Sequence, residues 1–368
     1  MSTDHSGNPY RIHRKPQAAP VAPKHRSGGC GWFFLCLILA GMLGLTWIGI
    51  LASAGGEFAV SGGSADDYWE EHALEDNGSE DRIAVIKVDG LISNLALDPS
   101  GMTMVRAIKS QLSLAAQDAS IKGVLLQIDS PGGEVLASDD IYREIKRFQE
   151  DSNKPVVASM SGLAASGGYY VAAPCRWIVA NELTITGSIG VILHSYNYRG
   201  LMDKVGVIPK VFKSGKFKDM LGGDQAPEEI LPEAEAMVQA MVDETFDRFK
   251  TVVLEGRTYA REQNGGAGQS LAPDWVDHAD GRILSGKQAF ELGFVDELGG
   301  FDQAVDRIAQ MVGSPNPNLI ELRQPFNFGS FFRLFGSVQT QSIKLDLGMD
   351  LPRLQAGRLY FLASNYIQ

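Results

Sequence analysis

Gly123-Val124-Leu125-Leu126-Gln127-Ile128-Asp129-Ser130-Pro131-Gly132-Gly133 decides the fold of this chain. A short run that is apolar at nearly every position and is stopped by a Pro-Gly-Gly turn reads as a buried β-strand. Two similar runs flank it, Ile83 to Val88 upstream and Pro155 to Met160 downstream. The stretches between them, Thr103 to Asp118 and Val135 to Phe148, place apolar residues three and four apart and predict helices. Strand, helix, strand, helix, strand calls for parallel pairing with right-handed crossovers, so the predicted class is α/β. The pattern continues with a short helix from Tyr169 to Ala173 and a strand from Trp177 to Ala180. Further strands are expected over Gly187 to Ile192 and Val207 to Phe212. Glu228 to Glu255 predicts one long helix, whose stripe of Met237, Met241, Val242, Phe246 and Phe249 suits core or subunit packing. Ser285 is placed to cap a helix, and Phe301 to Met311 forms another.

The 368 residues, 44% hydrophobic and 21% charged, suit one large domain with appendages. Trp32 to Ala54 holds no charged side chain, and as a helix it reaches roughly 34 Å, enough to span a bilayer core. Residues 30–54 are therefore expected to form a transmembrane anchor. The preceding arm, residues 1–29, carries five basic side chains against the single acid Asp4, in a chain whose net charge is −11. That asymmetry predicts a disordered cytoplasmic tail and a single pass, with the rest of the chain across the membrane. Ala52-Ser53-Ala54 has the form of a signal-peptide cleavage site, but the apolar run is longer than a usual secretory core. Residues 55–80 read as an acidic Gly/Ser-rich linker, with a short helix around Tyr68 to Ala73. The acidic balance argues against nucleic acid. No metal-ligand spacing appears, and no cofactor is expected. Cys175 stands apart from Cys30 and Cys36, in a context that predicts a small buried residue.

The chemistry concentrates in Leu163-Ala164-Ala165-Ser166-Gly167-Gly168-Tyr169-Tyr170. A serine among small residues, followed by glycines that admit another backbone, is built like a nucleophile at a strand-to-helix turn. Its hydroxyl needs a base. Only His72, His194 and His278 lie outside the N-terminal arm, and His194 reads as a residue at a strand end. Lysine is the other source, since burial can lower its pKa, and Lys213, Lys216 and Lys218 cluster downstream. Ile128 to Gly133 offers backbone amides for an oxyanion, with the Gly167 amide as a second donor. An extended peptide could add as a strand beside Gly132-Gly133.

Six segments in order resemble the signal peptide peptidase A family, Ser/Lys membrane proteases of the Clp protease/crotonase fold. They are Asp129 to Gly133, Lys154 to Ala158, Ala164 to Tyr170, Thr184 to Val191, Lys213 to Asp219, and Gly281-Arg282 with Gly293 to Asp296. The resemblance implies Ser166 as nucleophile, Lys218 as general base, Ser188 as the hydroxyl orienting the lysine, and Gly133 and Gly167 as oxyanion donors. It implies a peptidase domain over residues 81–313, with an apolar extension at 314–368. It further implies a homo-oligomeric ring, in which Lys218 can serve a neighbour's Ser166. Apolar remnant signal peptides are the implied substrates, degraded at the extracytoplasmic face of a bacterial inner membrane. Two other readings share these residues, a crotonase-like acyl-CoA enzyme and an inactive peptide-binding scaffold. The first commonly needs carboxylates that this turn lacks, and the second leaves Ser166 and Lys218 unused.

Overall fold

The computed structural model describes residues 69–96, 101–324 and 360–362. The expected anchor and N-terminal tail lie outside them. Among the described residues no helix is long and apolar enough to cross a membrane.

The chain runs β1 (Glu70–Glu75), β2 (Arg82–Asp89), α1 (Met104–Gln117), β3 (Ile121–Ser130), β4 (Gly132–Glu134), α2 (Val135–Ser152), β5 (Val156–Ala164) and α3 (Gly167–Ala172). It continues through β6 (Trp177–Ala180), β7 (Ile185–Gly187), α4 (Arg199–Val205), α5 (Pro232–Gln263), β8 (Ile283–Ser285), α6 (Gly286–Glu291), β9 (Glu297–Leu298), α7 (Phe301–Val312), β10 (Asn318–Arg323) and β11 (Tyr360–Leu362). The main sheet has the order β1-β10-β2-β3-β5-β6-β9, parallel along that order except where β1 meets β10, with β7 branching from β5 in parallel and β8 pairing antiparallel with β7. The mostly parallel α/β fold is the one the three apolar runs predict.

Those runs are continuous because both faces of the sheet are covered. Alternate residues point oppositely: Ala84, Ile86 and Val88 enter the larger core with Ile108, Ile141 and Ile145, whereas Ile83 and Val85 meet Ala304 and Ile308. Helix α1 starts where expected, with the Thr103 side chain accepting from the Arg106 amide at 3.2 Å. Ser285 caps α6 in the same way, at 3.2 Å from the Gln288 amide.

Three local expectations are corrected. Glu70 to Ala73, expected to fall in a short helix, lie instead in edge strand β1, whose Glu70, Glu71, His72 and Glu75 stay exposed. Charge along an edge discourages further pairing. Its partner β10 also lies beyond residues 81–313, so the sheet recruits segments from both sides of that interval. Val207 to Phe212 forms no strand, and Val207, Ile208, Val211 and Phe212 are exposed. A strand needs a ladder partner, and none of the described strands pairs with this segment. In Gly187 to Ile192 the ladder stops at Gly187, because Ser188 adopts φ 49° and turns the chain out of it.

Candidate active site

Ser166 stands between the C-terminal end of β5 and the first turn of α3, where catalytic groups gather in parallel sheets. Its backbone has φ 55° and ψ −117°, a conformation that L-residues with a Cβ rarely adopt. Four backbone hydrogen bonds hold the turn. The Ser166 amide donates to Gly187 (2.9 Å), Ala165 to Ser130 (3.1 Å), Gly168 to Ala165 (2.8 Å) and Tyr170 to Ser166 (2.9 Å). The residue is fully buried, and its hydroxyl has no hydrogen-bond partner among the described residues. A buried hydroxyl without a partner is destabilising, and such groups cluster where chemistry needs them.

Ser188 sits beside this turn because β7 runs parallel to β5. Thr186 donates its hydroxyl to the Ala164 carbonyl at 2.7 Å, and the Ser188 amide donates to Arg282 at 2.7 Å. Ser188 is 4% exposed.

The two glycine amides also converge. A methyl built on Gly167 would lie 3.1 Å from the Gly133 nitrogen, and one built on Gly132 would lie 2.6 Å from the Gly167 nitrogen. Gly132 has φ +100°, and a Cβ on Gly133 would collide with the Ile92 backbone. Glycine at both positions is therefore required by backbone approach. Ser130, not singled out in the sequence, braces this turn: its hydroxyl accepts from the Gly132 amide (3.1 Å) and donates to the Gly90 carbonyl (2.6 Å).

Strand β11 carries no signal of its own in the sequence. Tyr360, Phe361 and Leu362 pair antiparallel with Glu134, Gly133 and Gly132. On the other side, Tyr360 exchanges both backbone hydrogen bonds with Ile192, each 3.1 Å. An extended segment thus lies where an added peptide strand was expected, beside Gly132-Gly133. A neighbouring apolar cleft of about 650 Å³ is lined by residues including Leu136, Leu193, Met220, Val238 and Met241.

Lys218 is not brought to Ser166. It lies exposed in the turn after Gly215, and among the described residues its amine makes no hydrogen bond or ion pair. Lys213 pairs with Asp219 at 2.8 Å and Lys216 with Glu233 at 3.3 Å, so neither rival reaches Ser166 either. His194 follows Ile192 outside any strand, stacked near Tyr196. Cys175 is buried as expected, and burial pushes its thiol pKa well above the ordinary value.

A parallel α/β layer with a buried serine at a strained strand-to-helix turn, beside two converging glycine amides and an extended segment paired on Gly132–Glu134, fits a serine peptidase of the Clp protease type. The model of peptidase family S49 matches residues 148–314 and that of Clp protease matches residues 95–176. A candidate protease of Synechocystis sp. is 39% identical over 241 residues, 66% of this chain and 78% of that one. A candidate signal peptide peptidase SppA of Enterococcus faecium is 34% identical over 256 residues, 69% of this chain and 70% of that one. A solved membrane-bound stomatin-specific protease overlays with TM-score 0.39 at 15% identity, covering 69% of this chain and 97% of that one. The chain belongs to peptidase family S49, and it is a serine protease.

Proposed function

We propose that this protein is a membrane-anchored endopeptidase that degrades remnant signal peptides through a Ser166/Lys218 dyad. The Lys218 amine takes the Ser166 proton as Oγ bonds to the scissile carbonyl carbon, and the amides of Gly133 and Gly167 hold the resulting oxyanion. Collapse breaks the C–N bond and returns the proton to the departing amine, leaving an acyl ester on Ser166. Water, deprotonated by the same lysine, then hydrolyses that ester. Ser188 orients the amine between these steps.

The observation that carries this reading is strand β11 paired on Gly132–Glu134 beside a buried, unpartnered serine hydroxyl. Peptide addition at a sheet edge uses backbone hydrogen bonds and so suits extended substrates. The adjoining apolar cleft suits hydrophobic ones. The exposed Lys218 supports a dyad assembled between copies in a ring, with each lysine serving the next protomer's Ser166. The uncharged run Trp32 to Ala54 supports an anchor holding the ring at the outer face of a bacterial inner membrane.

Mixing two inactive variants tests this. Ser166→Ala and Lys218→Ala should each lose turnover of apolar peptides when assembled alone. Co-assembled, they should regain a measurable fraction, since some junctions pair an intact serine with an intact lysine. No recovery in mixed rings would place both groups in one chain, and activity persisting in Ser166→Ala would end the mechanism.

A further inference from the structure

The side chain of Phe361 occupies a closed chamber whose walls are aromatic. It is fully buried. Its ring stacks on Tyr170, with centroids 4.8 Å apart and planes at 24°, and meets Phe249 at 4.7 Å and 54°. Tyr170 and Phe249 also touch each other, at 4.9 Å, so three rings close around one another. The Tyr170 wall is fixed from behind. Its hydroxyl donates to Asp139 at 2.7 Å, Arg248 reaches the same carboxylate at 3.4 Å, and Tyr142 abuts the ring edge-on at 5.6 Å. A tethered ring cannot swing aside to make or remove space.

The backbone position of Phe361 gives this chamber its meaning. Phe361 is in register with Gly133, and a methyl built on Gly132 would overlap the Phe361 carbonyl oxygen while lying 2.6 Å from the Gly167 amide nitrogen. The Phe361 carbonyl therefore lies near the Gly167 amide, on the residue paired with Gly133. In that place it stands in for the carbonyl that Ser166 would attack, so its side chain marks the subsite of the residue contributing the acyl group.

We infer that the chamber formed by Tyr170 and Phe249 is the specificity pocket of this peptidase, and that it selects an aromatic side chain on the acyl side of the cleaved bond. The inference rests on the serine peptidase reading of the same site. A planar ring can stack on Tyr170 and fill the space, whereas alanine leaves a void. A carboxylate would lose its hydration without gaining a free donor, because the Tyr170 hydroxyl already serves Asp139.

The test uses the full chain, reconstituted in liposomes, and quenched-fluorescent apolar peptides that differ at one position: Phe, Tyr, Leu, Ala or Asp. Mass spectrometry of the products locates the cut. The expected order of kcat/KM is Phe and Tyr above Leu, then Ala, then Asp, with Phe exceeding Ala by about 100-fold. The cut should follow the aromatic residue. Phe249→Trp, which fills the chamber, should reverse the order so that Ala exceeds Phe, and Phe249→Leu should flatten it. Equal cleavage of all five peptides by the wild-type chain, or a cut displaced from the aromatic residue, would overturn the inference while leaving a peptidase. Failure of the wild-type chain to cleave any of the five would overturn the peptidase reading and this inference with it.

Discussion

The backbone amide of Ser166 donates to the carbonyl of Gly187 at 2.9 Å, joining two turns that both contain a serine at positive φ. Ser166 has φ 55° and Ser188 φ 49°. One hydrogen bond thus couples the strained strand-to-helix turn to the residue proposed to orient the base. Strain of this kind persists where surrounding structure over-determines it, and here the surrounding bonds come from β3, β5 and β7.

Ser166→Gly should therefore stabilise the fold by about 1 kcal/mol while abolishing peptidase activity, because glycine accepts the positive φ without strain. Denaturant unfolding of both chains checks the first part, and peptide turnover the second. A destabilised Ser166→Gly would mean that the turn is not strained.

Gly133→Ala should abolish activity through the backbone. A Cβ there collides with Ile92 and must displace the segment that carries the amide. The expected result is a loss of roughly 100-fold or more in kcat, on the order of one lost oxyanion donor, with altered chemical shifts around Ile92. Gly162→Ala is the control, since nothing lies within 4 Å of its added methyl.

A chain ending at residue 359 should bind peptides more tightly than the full chain. Strand β11 occupies the edge that an incoming strand would use, so an intramolecular competitor lowers the apparent affinity by the fraction of sites left open. The expected outcome is a several-fold lower KM with little change in kcat. An unchanged KM would show that the segment does not compete.

The Arg257–Asp296 pair lies under β6, with both side chains 2% exposed. Asp296 also accepts from the amides of Ile178 (2.9 Å) and Gln269 (3.1 Å). Arg257→Met would leave that carboxylate buried without its cation, at a cost of about 3–5 kcal/mol. A double replacement of both residues by apolar ones should recover part of the loss, read as the midpoint of urea unfolding.

The sheet was legible because parallel strands covered on both faces leave continuous apolar runs, as in Val124 to Ile128 and Val156 to Ala158. The serine turn and the Pro-Gly-Gly turn were legible because positive φ and close backbone approach restrict residue choice. Strand β1 was not, since an exposed charged edge strand carries no apolar alternation. Strand β11 was hidden for a different reason: three residues have no period, and their pairing joins positions more than 200 apart. The wall residues of the Phe361 chamber were visible separately, Tyr170 in the serine motif and Phe249 on a helical stripe, but only the fold brings them together. Lys218 was selected by its place in a motif, and a single chain leaves it exposed.

The central claim is that Ser166 is the acylated nucleophile. Incubating the full chain with an apolar peptide β-lactone, followed by intact-mass and peptide mapping, tests it most directly. One adduct per chain is expected on the peptide containing Ser166, absent from Ser166→Ala and slowed in Lys218→Ala. An adduct on any other residue, with peptide turnover retained in Ser166→Ala, would contradict the account.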